Sequence, residues 1–380
     1  MARIIILGSA YPLRGGGLAT FNERLAQAFQ KMGHKVSIYT FSLQYPSLFF
    51  PGKTQYSDEP KPENLDIKIK VNSINPLNWI RVGKELKKAK PDVLVIRYWL
   101  PFMAPCLGTI AKITRKNKHT RVISIADNII PHEKRPGDKI LTRYFVSKMH
   151  GFVTMSKTVL KDLEKFNKKN IPVAFCHHPL YDNFGQKIDK ILARKMLNLE
   201  PNDKFVLFFG FIRDYKGLDL LLKAFAQSPI DKTNIKLLVA GEFYSNSEKY
   251  LQMIEDLNID NKVILHTEFI PNEMVSAFFC AADLVAQPYK SATQSGVTQI
   301  AYHFEIPMLV TNVGGLAETV IDNKTGYVVE RNEKQIASKI ADYFKNKNTE
   351  KQFINNIKQH KKKFSWNKMV DTILSVSKKQ

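Results

Sequence analysis

Cysteine is scarce in this chain. The three residues present, Cys106, Cys176 and Cys280, lie far apart with no paired spacing, which argues against a disulfide framework and against a thiolate zinc site. A reducing, cytoplasmic setting fits that usage best. Long apolar runs are missing as well. The uncharged stretch Tyr98 to Ala111 carries Pro101 and Pro105 and falls short of the ~20 residues that cross a bilayer. The apolar start, Ile4 to Leu7, is shorter than a signal-peptide core and reads as a first strand. Low-complexity tracts and solenoid-length repeats are absent. Acidic residues are in deficit, 35 against 57 Lys plus Arg for a net charge of +22, so attraction to anions is expected: nucleotides, acidic headgroups or nucleic acid. Finally, the chain contains no Asp-x-Asp, and the glycine turn after the first strand, Gly8 to Thr20, is neither a Gly-x-Gly-x-x-Gly nor a Gly-Lys-Ser/Thr, which weakens metal-bridged, nicotinamide and P-loop readings.

What is present is a long alternation of strands and helices. At 380 residues the chain exceeds what one core usually organises, so two domains are expected. In the first half, strands are predicted at Arg3 to Leu7, Gly33 to Thr40, Val93 to Arg97, Val122 to Ala126, Gly151 to Met155 and Val173 to His177, with an amphipathic helix from about Thr20 to Met32. In the second half they fall near 204–209, 236–240, 262–266, 283–287 and 307–311. This pattern predicts two Rossmann-like α/β domains in series. Pro and Gly interrupt it around His178 to Gly185, giving an expected division into 1–180, 181–360 and a terminal segment 361–380. That last segment offers Ser365 as an N-cap and apolar residues at 366, 369, 370 and 373, a helical face that needs something to pack on.

Four polar constellations sit at predicted strand ends. Gly210 to Phe225 places Arg213 and Lys216 in a glycine-flanked turn between a strand and a helix. Arg forks onto phosphate oxygens and Lys supplies a compact charge, so the turn is built to hold a diphosphate and stabilise a leaving group. The triple glycine Gly15, Gly16 and Gly17 follows the first strand and lets backbone N–H groups approach an anion at a helix start. Pro288 to Tyr302 leads a Ser/Thr/Gln-rich loop into a helix near Ser295 or Gly296, with Gly314 and Gly315 as a further backbone approach. In the first half, Asp127, Asn128, His132 and Glu133 follow a strand ending at Ala126, a set suited to sugar hydroxyls or an acceptor proton. Each has a plainer alternative: a basic surface loop, a flexible turn, a well-capped helix and a loop with one capping Asp.

In order and spacing these pieces resemble the GT-B retaining glycosyltransferases of the glycogen-synthase-like family 4 type over essentially the whole chain. Gly210 to Phe225 is similar to that family's Gly-x-x-x-x-x-Lys-Gly-x-x-x-Leu-Leu signature, and Phe269 through Pro288 is similar to its next block. The resemblance implies two Rossmann-like domains facing across a cleft, with the last helix crossing back to the first domain. It implies that Arg213 and Lys216 hold the donor diphosphate and that Thr293, Gln294, Ser295, Gly296 and Val297 meet phosphates and sugar. Gly210 belongs to the same turn, and Phe269 and Ile270 fall where the family's main chain holds the nucleobase. Asp127 occupies the position where many relatives carry a His near the reacting sugar. One departure is plain: the family's paired glutamates correspond to Ala292 and Ile300, neither of which can hydrogen-bond a hydroxyl, with Gln294, Ser295 and Gln299 as substitutes.

The resemblance therefore implies a glycosyltransferase taking a UDP- or GDP-sugar to a glycan or lipid-linked acceptor, with retention, in cell-surface polysaccharide or glycolipid biosynthesis. No metal site, no cofactor beyond the donor and no nucleic acid are expected. An anionic membrane surface is a further expected partner, through the loop Tyr45 to Phe50 and the basic helix Trp79 to Lys90 with Arg81, Lys84, Lys87 and Lys88. The alternatives are a nucleoside-diphosphate-sugar epimerase of the same fold, or a non-catalytic protein binding a sugar nucleotide or nucleic acid.

Overall fold

The structure is a computed structural model and describes residues 1–14, 17–46, 54–57, 60–131, 135–244 and 246–378. It divides into two compact units, Met1–Pro179 with Phe364–Gln380, and Leu180–Lys363.

The first unit is built on a parallel sheet of seven strands, β1 (Arg3–Leu7), β2 (Lys35–Leu43), β3 (Asp66–Asn72), β4 (Val93–Tyr98), β5 (Arg121–Ala126), β6 (Gly151–Thr154) and β7 (Val173–Phe175), in the order β3-β2-β1-β4-β5-β6-β7. The central strands carry apolar residues without alternation because helices cover both faces; β4 is buried at every position. The edge strand β3 instead reads Asp-Ile-Lys-Ile-Lys-Val-Asn, with its charged side chains outward. The chain-order reversal falls between β1 and β4, where Leu7 pairs with Ile96. In open α/β sheets, such a reversal opens a crevice at the strands' carboxyl ends.

The terminal helix Trp366–Lys378 belongs to this first unit and buries Trp366, Met369, Val370, Ile373 and Val376. The Trp366 ring lies 4.9 Å from Phe21, and Arg121 Nε donates to the Ser377 carbonyl at 3.0 Å. Burying side chains of this size is worth roughly 1.5–3 kcal/mol each.

The second unit carries β8 (Lys204–Phe209), β9 (Ile235–Ala240), β10 (Val263–His266), β11 (Leu284–Gln287), β12 (Met308–Thr311) and β13 (Gly326–Val329), all parallel, in the order β10-β9-β8-β11-β12-β13. Its reversal falls between β8 and β11, with Val206 opposite Leu284. The predicted two-domain α/β architecture is thus the one observed. The two edge strands β3 and β13 have no counterpart in the sequence-based expectation.

Candidate functional site

In the second unit, three loops converge where β8, β11 and β12 end. The turn after β8 closes as a short 3-10 helix, Asp214–Lys216, and then enters the helix Leu218–Phe225. Gly217 joins the two with φ +71, and a Cβ there would stand 2.0 Å from the Pro288 carbonyl oxygen. Only glycine permits both the backbone angle and that approach. Behind it, the Lys290 amide donates to the Tyr215 carbonyl at 2.6 Å. Gly314 does the same for the β12 loop: at φ +44, a Cβ would lie 1.7 Å from the Ala292 carbonyl oxygen, and the Gly315 amide donates to the Thr293 carbonyl at 3.1 Å.

The cations of this site divide by partner. Lys290 is spent on carboxylates, 3.1 Å from Asp214 and 3.0 Å from Asp219, so it ties the turn to the helix that follows. Arg213 is exposed, with its guanidinium carbon 4.9 Å from the Tyr244 ring centroid. Lys216 is 8% exposed, lies 5.8 Å from the Tyr289 ring centroid and has no carboxylate partner among the described residues. Burial, aided by the charge of Arg213, pushes its ammonium down to about 7. A Cβ built on Gly210 would stand 3.1 Å from Lys216 Nζ and 3.7 Å from Val297 Cγ2. Gly210, Lys216 and Val297 are therefore one locus.

That locus includes the start of the helix Gly296–His303. Ser295 occupies the N-cap without bonding the helix start, because its Oγ accepts from Gln287 Nε2 at 2.7 Å. Thr298 Oγ1 donates to Gln287 Oε1 at 2.7 Å. Uncapped N–H groups at a helix start favour an anion. Gln299 is 2% exposed and its Oε1 has no hydrogen-bond partner among the described residues. Ala292 lies in the loop and Ile300 is 6% exposed, so the two positions of the missing glutamates present no polar group. Thr293 and Gln294 lie in the converging loop, whereas Phe269 and Ile270 follow β10, half-buried.

In the first unit, Asp127 follows β5 and is 8% exposed. Its carboxylate is held bidentate by Arg97 at the end of β4, through Nε and through Nη2, the latter at 2.6 Å from Oδ1. Arg97 is 2% exposed and its guanidinium carbon lies 3.7 Å from the Phe21 ring centroid. This arrangement makes Asp127 an ionic acceptor facing Arg97. Beside it, Asn128 Oδ1 lacks a hydrogen-bond partner among the described residues. His178 is buried, and burial with the nearby charge of Arg97 pushes its imidazole down to about 3, so it is neutral at physiological pH. Gly17 is exposed just before the helix Ala19–Lys31. Gly15, Gly16, His132 and Glu133 lie outside the described residues.

Sequence reasoning missed Arg97, Gln287 and Lys290. An Arg closing the apolar run Val-Leu-Val-Ile-Arg was a signal for the first; the others depend on partners far apart in sequence. Among the described residues no group of three or more His, Cys, Asp or Glu is placed to hold a metal, and no helix is long and apolar enough to cross a membrane.

Comparison with known proteins agrees with this layout. Residues 189–360 match the family model described as Glycosyl transferases group 1, and residues 15–197 match that described as Glycosyltransferase Family 4. A D-inositol 3-phosphate glycosyltransferase of Segniliparus rotundus is 34% identical over 161 residues, which span 40% of this chain and 36% of that relative. An uncharacterized glycosyltransferase of Methanocaldococcus jannaschii is 22% identical over 99% of this chain and 98% of its own length. Among solved structures, Anabaena HepE, in complex with UDP and glucose, superposes with a TM-score of 0.74 at 14% identity, over 99% of this chain and 100% of that one. Sucrose-phosphate synthase from Thermosynechococcus elongatus gives 0.73 at 15% identity, over 99% and 96%. With two Rossmann-like sheets, two consecutive family matches and full-length GT-B neighbours, the chain belongs to the group 1, family 4 type glycosyltransferases.

Proposed function

We propose that this chain transfers a sugar from a nucleoside diphosphate donor, a UDP- or GDP-sugar, to a glycan or lipid-linked acceptor, with retention and without a metal ion, at the cytoplasmic face of a membrane and in cell-surface polysaccharide or glycolipid biosynthesis. The observation that carries this reading is Lys216: a buried ammonium without a carboxylate partner among the described residues, beside an uncapped helix start, where the second sheet's strand order reverses. An unpaired buried cation is costly in the empty protein. A diphosphate supplies the counter-charge, and Arg213 adds a second cation as the leaving group departs. HepE, which shares the fold, has been solved with UDP-glucose, in support of a nucleotide-sugar donor. Asp127 and Asn128 are assigned to the acceptor side, with Arg97 fixing the orientation of the Asp127 carboxylate.

Membrane contact draws support from the helix Pro76–Ala89. Ile74, Leu77 and Ile80 are exposed at three-residue spacing, alongside exposed Arg81, Lys84, Lys87 and Lys88, an apolar and basic outer face suited to an anionic interface. Of the loop Tyr45 to Phe50, residues 47–50 lie outside the described residues.

The test is transfer from a panel of nucleotide sugars in the presence and absence of chelator. Turnover that survives chelator and falls by about 10²-fold or more in Arg213→Ala supports the reading. Turnover restored only by a divalent ion, or unchanged in that variant, overturns the assigned chemistry.

A further inference from the structure

The first unit holds a cavity of about 540 Å³ that the donor site does not use, well inside the size range of small-molecule pockets. Its floor is apolar: Ile129 is 1% exposed, and Ile130 and Phe166 pack half-buried against the same core. Its rim is cationic, with Arg135, Lys139 and Arg143 all exposed. None of the three pairs with a carboxylate among the described residues. Asp138, the one carboxylate among the described lining residues, is turned to the Arg135 amide, which donates to its Oδ2 at 2.8 Å.

Lys139 and Arg143 stand one turn apart on the helix Asp138–Val146. Like charges at that spacing destabilise a helix by a few tenths of a kcal/mol. On the same helix Ile140 is 70% exposed at the lip of the cavity. Cations without counter-charges among the described residues, set above an apolar hollow, are complementary to one kind of ligand, an anion carrying a hydrocarbon chain. The cavity also continues directly from the loop after β5. Ile130 is three residues beyond Asp127, so at most about 11 Å of backbone separates the two.

Resting on the glycosyl-transfer reading above, we infer that this cavity binds the acceptor, and that the acceptor is a lipid phosphate. Its hydrocarbon chain lies on Ile129, Ile130 and Phe166, its phosphate meets Lys139, Arg143 and Arg135, and its reactive end reaches the Asp127 and Asn128 loop.

The experiment measures equilibrium binding to the full chain without any donor, using decyl phosphate below its micellar concentration, decanol and inorganic phosphate as probes. Decyl phosphate is expected to saturate, with an affinity about tenfold or more above that of either fragment. The double charge reversal Lys139→Glu with Arg143→Glu, at exposed positions that leave the core intact, is expected to weaken decyl phosphate by about tenfold or more while nucleotide-sugar affinity stays unchanged. Decyl phosphate binding no tighter than inorganic phosphate, or surviving the charge reversal, overturns the inference. Vesicles of anionic phospholipid separate a pocket from a surface: if the double variant loses vesicle binding and decyl phosphate binding to the same degree, the patch reads headgroups and the cavity assignment falls. Because no donor is used, failure to find a transferable sugar leaves this result readable by itself.

Discussion

Placing the donor diphosphate at Lys216 predicts that donor affinity depends on pH. In the empty protein its ammonium is pushed down to about 7, whereas a diphosphate at the same place demands the charged form. Binding must then take up the missing proton, and the dissociation constant scales as 1 + 10 raised to (pH − 7) until the bound-state pKa is reached. Between pH 6.5 and 8.5 this amounts to about a 25-fold loss of affinity, with about 0.9 proton taken up per donor bound near pH 8. A nucleotide sugar is the right probe, because a terminal phosphate monoester would itself titrate near pH ~6. Calorimetry in two buffers of different ionisation enthalpy reads the proton uptake directly. The stability of the empty protein responds with the opposite sign: between about pH 7 and the ordinary lysine value, the unfolded chain binds the extra proton, so this group makes the fold more stable as pH rises. Lys216→Met should therefore raise the melting temperature of the empty protein by a few degrees, about 2–4 °C per kcal/mol recovered, while flattening the pH profile of donor binding. A wild-type profile flat from pH 6.5 to 8.5, or an unchanged slope in Lys216→Met, refutes the placement of the diphosphate at this ammonium.

Asp127→Ala leaves Arg97 buried and uncompensated, and is expected to cost about 3–5 kcal/mol of stability in chemical denaturation; a change below about 1 kcal/mol would show that the pair is hydrated. Gly314→Ala forces a Cβ against the Ala292 carbonyl and should cut donor affinity by about tenfold or more by displacing the loop that carries Thr293 to Val297, measured by titration of the folded variant. Replacing Leu77 and Ile80 by Ser should reduce co-sedimentation with anionic vesicles at low salt without altering donor binding; unchanged co-sedimentation removes the helix Pro76–Ala89 from the membrane contact.

Much of this layout was legible because buried parallel strands advertise themselves. Runs such as Val93 to Ile96 and Phe205 to Phe208 are apolar at every position, which few loops tolerate. The edge strand β3 escaped notice because it alternates Lys with Ile, as a strand with one wet face must. At the opposite edge of the other sheet, β13 is four residues opening with Gly326, too short for periodicity. The turn between β8 and its helix was readable from Arg213, Lys216 and Gly217, whose spacing is local. The pairing of Arg97 with Asp127 spans 30 residues and that of Lys290 with Asp214 spans 76; nothing in either neighbourhood announces the partner. Which lysine pairs with carboxylates and which stays without one among the described residues is decided only when β8 and β11 come together.

The first unit is interrupted in sequence: it leaves off at Pro179 and resumes at Phe364. On a ribosome adding about 5–20 residues per second, roughly 10–40 s separate the last strand of its sheet from the helix that covers it. During that interval Phe21 and its apolar neighbours have no Trp366 to pack against, while the second unit, contiguous from Leu180 to Lys363, can close first. Biogenesis of this chain thus runs against the order of its numbering, and the surface awaiting Trp366, Met369 and Ile373 is where a newly made chain is most exposed to aggregation.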